Sequence, residues 1–97
     1  MKYTLEILES ARDNVVEAFL YYEGKQPGLG ERFLDCWEKQ LKALQLEPNL
    51  FQKRYKDFRQ VLIKPYPYHI IYEIDNTVIV IYKVIYAGRH PRMRYKK

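Results

Sequence analysis

The 97-residue chain has one cysteine, Cys36, two histidines, four glycines and one tryptophan, and these scarcities exclude whole classes of protein. A lone thiol closes no internal disulfide, and without a cluster of cysteines no structural zinc site is expected. No uncharged apolar run approaches the ~18 residues of a membrane span, and the segment from Met1 to Ile7 lacks the apolar core of about 7–15 residues that a secretion signal needs. A cytosolic protein without membrane contact is expected. Gly28, Leu29 and Gly30 are too short a run for a dinucleotide fingerprint, and no Walker-type phosphate loop is present. The acidic residues fall mainly in segments of helical periodicity, which leaves no strand-borne carboxylate cluster to hold magnesium. Neither a metal nor a cofactor is expected.

What is there suits one small folded unit. Apolar residues make up 47% and charged residues 30%, a globular balance without low-complexity tracts, so order is expected almost throughout. A chain of this length buries roughly 60–70% of its unfolded surface, enough for one core, so residues 1–97 are read as a single domain. The net charge of +5 is unevenly placed. Residues 1–88 hold 12 basic and 12 acidic side chains, and the whole excess lies in the last nine residues. Divided at residue 52, the first part carries −3 and the second +8. A basic half joined to a neutral-to-acidic half suits a surface that meets a polyanion, although a solvated basic tail has the same composition.

Periodicity orders the elements. Tyr3, Leu5 and Ile7 alternate with Lys2, Thr4 and Glu6, predicting a half-buried strand over residues 2–8. Ser10 with Asp13 resembles a capping box, and Ala11, Val15, Ala18, Phe19 and Tyr22 follow at helical spacing to a stop near Lys25. A second helix is predicted over Leu29–Leu46, with Phe33, Leu34, Trp37, Leu41 and Leu44 on one stripe and Pro48 beyond its end. So short a break makes the two an antiparallel hairpin. From Phe51 the period falls to two, and Phe51–Tyr55, Arg59–Lys64, Tyr68–Asp75 and Thr77–Tyr86 read as strands. Asp75 and Asn76 mark a tight turn between the last two. The stretch from Val78 to Tyr86 is apolar on both faces except at Lys83, as in an interior strand. Pro65 and Pro67 mark a break or edge, since proline donates nothing to a ladder. The expected fold is α+β in the order β-α-α-β-β-β-β, with the N-terminal strand and helical hairpin packed on a mostly antiparallel, twisted sheet.

The densest chemistry lies between Ala87 and Lys97, directly after the most apolar strand. Arg89, Arg92 and Arg94 can grip phosphate bidentately, His90 can move a proton near neutral pH, Tyr95 can stack or serve as an acid, and Lys96 and Lys97 add charge. Lys53, Arg54, Lys56 and Arg59 form a second basic group, with Lys64 beyond it. Alternation divides them between two faces, and Arg59 stands out because it opens a strand expected beside the last one. His69 is a candidate base, although a strand histidine is more often bonded to a neighbour. Tyr66, Tyr68, Tyr72, Tyr82 and Tyr86 can stack on RNA bases or simply pack across strands. Without a metal, nuclease chemistry is feasible only on RNA, whose 2′-hydroxyl is the nucleophile and which asks of the protein a base, an acid and cations for the phosphorane.

The layout, together with Phe58-Arg59, Pro67-Tyr68-His69-Ile70-Ile71-Tyr72, an acidic turn, a long aliphatic strand and Ala87-Gly88-Arg89-His90-Pro91, resembles the RelE/ParE toxins of type II toxin–antitoxin systems, the plasmid-stabilisation type. The resemblance covers nearly the whole chain, the helices matching in character only. It implies a growth-arresting toxin restrained by a cognate antitoxin, in a homodimer or a heterotetramer with that antitoxin. The RelE branch cleaves mRNA on the ribosome with strand-borne basic residues, an arginine after the last strand and a C-terminal tyrosine. Arg89 and Tyr95, six positions apart, fit the last two. Aligning Tyr72 with the family's strand tyrosine puts Gln60 and Leu62 where that branch has lysines and His69 where it has an arginine, so only Lys64 keeps a basic group in that strand. On this reading Arg89 and Lys64 would stabilise the phosphorane, His90 or Tyr95 would be the acid and His69 the base. The ParE branch lacks the full catalytic set and poisons DNA gyrase by binding it. The Arg-x-Pro element at Arg89 and Pro91, the Pro67-Tyr68 pair and the missing lysines lean toward that branch, with Arg59, Arg89, Arg92, Arg94, Lys96 and Lys97 forming the target-binding surface. A plain RNA-binding module without toxicity would share the same charge map.

Overall fold

The computed structural model describes residues 2–87. Its elements are β1 (Thr4–Ile7), α1 (Glu9–Lys25), α2 (Leu29–Leu46), a 3-10 turn (Pro48–Leu50), β2 (Lys53–Tyr55), β3 (Phe58–Leu62), β4 (Tyr68–Asp75) and β5 (Val78–Tyr86). The order is the expected β-α-α-β-β-β-β. The sheet runs β1-β5-β4-β3-β2, with β1 parallel to β5 and every other pair antiparallel. β5 is therefore interior, and the first strand is paired with the last.

One core lies between the helices and one sheet face. Ala11, Val15 and Ala18 of α1 and Phe33, Trp37, Leu41 and Leu44 of α2 meet Val61, Ile63, Ile70, Tyr72, Ile79, Ile81 and Val84. Leu34, at the margin of the predicted stripe, is half-buried, because 3.6 residues per turn carry it off the line through Phe33 and Trp37. The helices meet closely at Gly30, where an added Cβ would stand 2.7 Å from Phe19 Cδ1 and 2.8 Å from the Phe19 carbonyl oxygen. Gly28 turns the chain at φ 94°. The Glu23 carboxylate accepts the N–H groups of Gly28 at 3.0 Å and Gly30 at 2.9 Å, so a side chain of α1 satisfies the first donors of α2. Gly30→Ala is expected to lower stability by about 1–3 kcal/mol in urea denaturation, because the Phe19 backbone cannot step aside and overpacking outweighs the ~1 kcal/mol helix-propensity gain. An unchanged or raised midpoint would show that the helices can separate.

Besides one- or two-residue shifts at the ends of β1 and β5, four features depart from the sequence reading, each for a local reason. Ser10 and Asp13 form no capping box: the N-cap position falls at Leu8 without a side-chain bond, since β1 runs straight into α1 and Leu8 N donates to the Ile81 carbonyl at 3.0 Å. β2 shrinks to three residues because Pro48–Leu50 coils and the Arg59 guanidinium takes the Phe51 carbonyl at 2.6 Å, out of any ladder. β3 starts one residue early and ends at Leu62, so Lys64 sits exposed in the turn before Pro65 rather than in the strand. β5 contains a bulge: Ile71 is opposite Lys83 but Tyr72 is opposite Ile81, leaving Tyr82 as the extra residue.

The bulge explains the unbroken apolar run. It resets the alternation, so that Ile79, Ile81 and Val84 all face the helices at 0%, 0% and 2% exposure. Val78, Val80, Tyr82, Lys83 and Ile85 are half-buried on the opposite face. α1 reads the bulge directly: Ser10 Oγ donates to the Tyr82 carbonyl at 2.7 Å and Asn14 Oδ1 accepts Val84 N–H at 3.0 Å.

Candidate functional site

The sheet face away from the helices collects several sequence-selected positions. β3–β4 and β4–β5 pairing sets Gln60, Ile71 and Lys83 in one row across three strands, and Leu62, His69 and Ile85 in the next. Phe58 stacks edge-on against Tyr82 at 5.0 Å, and Phe58 and Ile71 are buried at 7% and 1% exposure. An open cavity of about 490 Å³ beside these rows is lined by Arg54, Gln60, Leu62, Lys64 and His69, among others. His69 and Lys64 are thus brought to one place.

Other cations are drawn elsewhere. Arg59 donates to the Phe51 carbonyl and, at 3.3 Å, to Asn49 Oδ1, so its guanidinium braces the 3-10 turn. Lys53 pairs with Asp57 at 3.3 Å, and Lys56 Nζ lies 5.3 Å from the centroid of the Tyr55 ring. Both of these surface contacts are weak supports. Arg89, His90, Arg92, Arg94, Tyr95, Lys96 and Lys97 lie outside the described residues.

Four strand tyrosines that the sequence grouped together do different things. Tyr72 points into the core and donates to the Pro48 carbonyl at 2.7 Å; burial pushes its phenol up to about 12, against a smaller opposite pull from Arg59. Tyr82, on the opposite face, donates to Glu73 Oε1 at 3.0 Å and is also raised, first by burial and then by that carboxylate. Tyr68 and Tyr86 pack 5.7 Å apart at the far end of the sheet. There they join Tyr21 and Tyr22 of α1 around a second open groove of about 620 Å³. The sequence reading missed this grouping. Its signal was the adjacent Tyr21-Tyr22 pair near the end of an amphipathic helix, which only the folded chain sets opposite β4 and β5. Burial and the neighbouring tyrosines raise the Tyr22 phenol.

A helical hairpin on a five-stranded mixed sheet whose first strand pairs with its last defines a small α+β fold. The chain belongs to the ParE toxin family of type II toxin–antitoxin systems, parDE, whose family model matches residues 5–91. Toxin ParE2 of Mycobacterium tuberculosis is 25% identical over 88 residues, spanning 90% of this chain and 84% of that protein. Among solved structures, a chain of the chromosomal ParDE system from P. aeruginosa superposes with a TM-score of 0.79 at 15% identity, over 90% of this chain and 98% of that one. A chain of the RelBE2 toxin–antitoxin complex from Mycobacterium tuberculosis gives 0.59 at 20% identity, over 89% and 99%. These two likenesses concern the fold. Among the described residues no helix is long and apolar enough to cross a membrane.

Proposed function

We propose that this toxin arrests growth in the ParE manner, by binding DNA gyrase rather than by cutting RNA. One observation carries the reading. The rows that hold Gln60, Leu62 and His69 are filled out by Ile71, Lys83 and Ile85, so where the resemblance places two lysines and an arginine in the RNA-cleaving branch this face has a neutral amide, an aliphatic side chain and a histidine, with Lys83 as the one cation in the two rows. Metal-free phosphoryl transfer needs cations set against the charge that develops on the phosphorane, and Gln60 and Leu62 supply none. The match to the ParE family and the relative named Toxin ParE2 support the same reading.

The partner that restrains the toxin is a cognate antitoxin with an acidic amphipathic segment, for which the +8 half from residue 53 onward is an electrostatic match. The solved neighbours drawn from ParDE and RelBE2 toxin–antitoxin systems support that partnership. Target contact then falls to the basic tail, Arg89, Arg92, Arg94, Lys96 and Lys97, with Arg59 bracing the turn beneath β2.

The test is a brief induction in growing cells, with 5′-end mapping of mRNA and an assay for trapped gyrase–DNA complexes in the same culture. Trapped gyrase with intact mRNA is the expected result, and His69→Gln and Tyr95→Phe should leave growth arrest within about twofold of the parent. Codon-phased mRNA cuts abolished by Arg89→Ala would overturn the proposal and hand Arg89, Lys64, His69, His90 and Tyr95 the catalytic roles. Induction without growth arrest would leave a non-toxic RNA-binding module.

A further inference from the structure

The groove between α1 and the end of the β4–β5 pair is walled by four tyrosines, Tyr21, Tyr22, Tyr68 and Tyr86. Successive rings cross steeply: Tyr21 and Tyr22 at 81° and 5.2 Å, Tyr22 and Tyr68 at 66° and 6.2 Å, Tyr68 and Tyr86 at 68° and 5.7 Å. Tyr22 and Tyr68 also pack on Phe33, so the open ring surface of the groove comes from Tyr21 and Tyr86, at 55% and 45% exposure, and an aromatic face of this kind attracts an organic cation. Glu17 is the one charged side chain lining the groove among the described residues, so its formal charge adds to the same preference. Lys25, outside the groove lining, places Nζ 5.1 Å from the centroid of the Tyr21 ring, so that ring already takes part in a cation–π contact.

The surface continues beyond the cage. At about 100° per residue, Leu20 follows Glu17 around α1 and Val16 follows Leu20. Both are well exposed, at 61% and 54%, and form an apolar shelf beside the acidic rim. A small free cation would use the cage alone. A ligand that fills cage and shelf together must carry a positive charge and an apolar group a few ångströms apart, as neighbouring side chains of a peptide do.

We propose that this groove is a docking site for a partner polypeptide, which places an arginine or lysine side chain among Tyr21, Tyr22, Tyr68 and Tyr86 beside Glu17 and lays an adjacent apolar side chain on Leu20 and Val16. The site is distinct from the rows of Gln60 and His69 on the sheet face. It also differs in sign, for it takes a cationic segment whereas the basic half takes an acidic one. One toxin could therefore hold two segments of opposite charge at once.

The probe is the acetylated, amidated peptide Ala-Leu-Arg-Leu-Ala-Ala, titrated into the full-length protein with ring-labelled tyrosine and followed by NMR. Expected are saturable shifts at Tyr21 and Tyr86, an affinity about threefold or more weaker for the citrulline counterpart, and similar losses for Glu17→Gln and Tyr21→Leu. Glu17 and Tyr21 are exposed, so these variants keep the fold. Leu20→Ser should weaken the peptide but not N-acetyl-arginine methylamide. Equal affinity for arginine and citrulline peptides would overturn the cage. N-acetyl-arginine methylamide binding as tightly as the peptide would overturn the polypeptide partner in favour of a small cation. Binding that appears only in a chain shortened after Gly88 would overturn it in favour of the toxin's own basic tail. None of these readouts depends on growth arrest or gyrase.

Discussion

Tyr72→Ala is expected to destabilise the toxin by about 3–5 kcal/mol, enough to leave little folded protein if total stability is ordinary for its size. Tyr72 is fully buried on β4 between the helices and the 3-10 turn, and its hydroxyl is the partner of the Pro48 carbonyl, a residue that is itself buried. Tyr72→Phe separates the bond from the packing. It keeps the ring and should cost about 1–3 kcal/mol, because the Pro48 carbonyl is left buried without a donor. The same residue sets an alkaline limit. Burial raises the folded-state phenol from 10.0 to about 12, so the neutral form is favoured by folding. That contribution is present below pH 10 and is lost as pH rises from 10 through 12, when the unfolded chain can ionise and the folded one cannot; two pKa steps correspond to at most about 2–3 kcal/mol. Urea midpoints of parent and Tyr72→Phe measured from pH 8 to 11.5 should therefore converge as pH rises. Parallel profiles would show that Tyr72 is solvated well enough to ionise in place.

Asn14→Leu is expected to cost about 1–3 kcal/mol, and with Ser10→Ala about 2–4 kcal/mol together, less than a simple sum because both act on one bulge. Leucine fits a helix interior better than asparagine by propensity, so the direction of the effect discriminates. Beside the bulge at Tyr82, α1 bonds two β5 backbone groups, the Tyr82 carbonyl and the Val84 N–H, with one donor and one acceptor a helical turn apart. Removing Asn14 Oδ1 orphans the Val84 N–H beneath a side chain that is 2% exposed. Asn14→Asp keeps an acceptor and should stay near the parent at neutral pH. Hydrogen exchange at the Val84 amide is the local check. Equal protection in Asn14→Leu would mean that the bond does not hold the bulge.

These two sites show where a local reading stops. Asn14 and Ser10 lie on a stretch whose apolar spacing is otherwise regular, and Ser10 reads as a cap because serine before an amphipathic run usually is one. Its partner is 72 positions away in sequence, at a bulge no period reveals. Arg59 likewise reads as a strand cation free to meet phosphate, yet its guanidinium is committed to the carbonyls before β2. His69 and Lys64 were singled out separately and do line one cavity, which they share with Arg54, Gln60 and Leu62.

By itself the sequence determined the element order, the buried stripe of α2, the interior rank of β5 and the basic excess after residue 52. Each is a sum over neighbouring residues, set by a period of 3.6 or 2 or by a count of charges. Tertiary structure alone decided the parallel pairing of β1 with β5, the bulge that turns Val84 inward, and the commitment of Arg59 and Tyr72 to the 3-10 turn. It also decided the meeting of Tyr21 and Tyr22 with Tyr68 and Tyr86. These depend on which backbone groups and rings face one another across long chain separations, and that is settled only when burying the core fixes one register and leaves each buried donor and acceptor to find its partner.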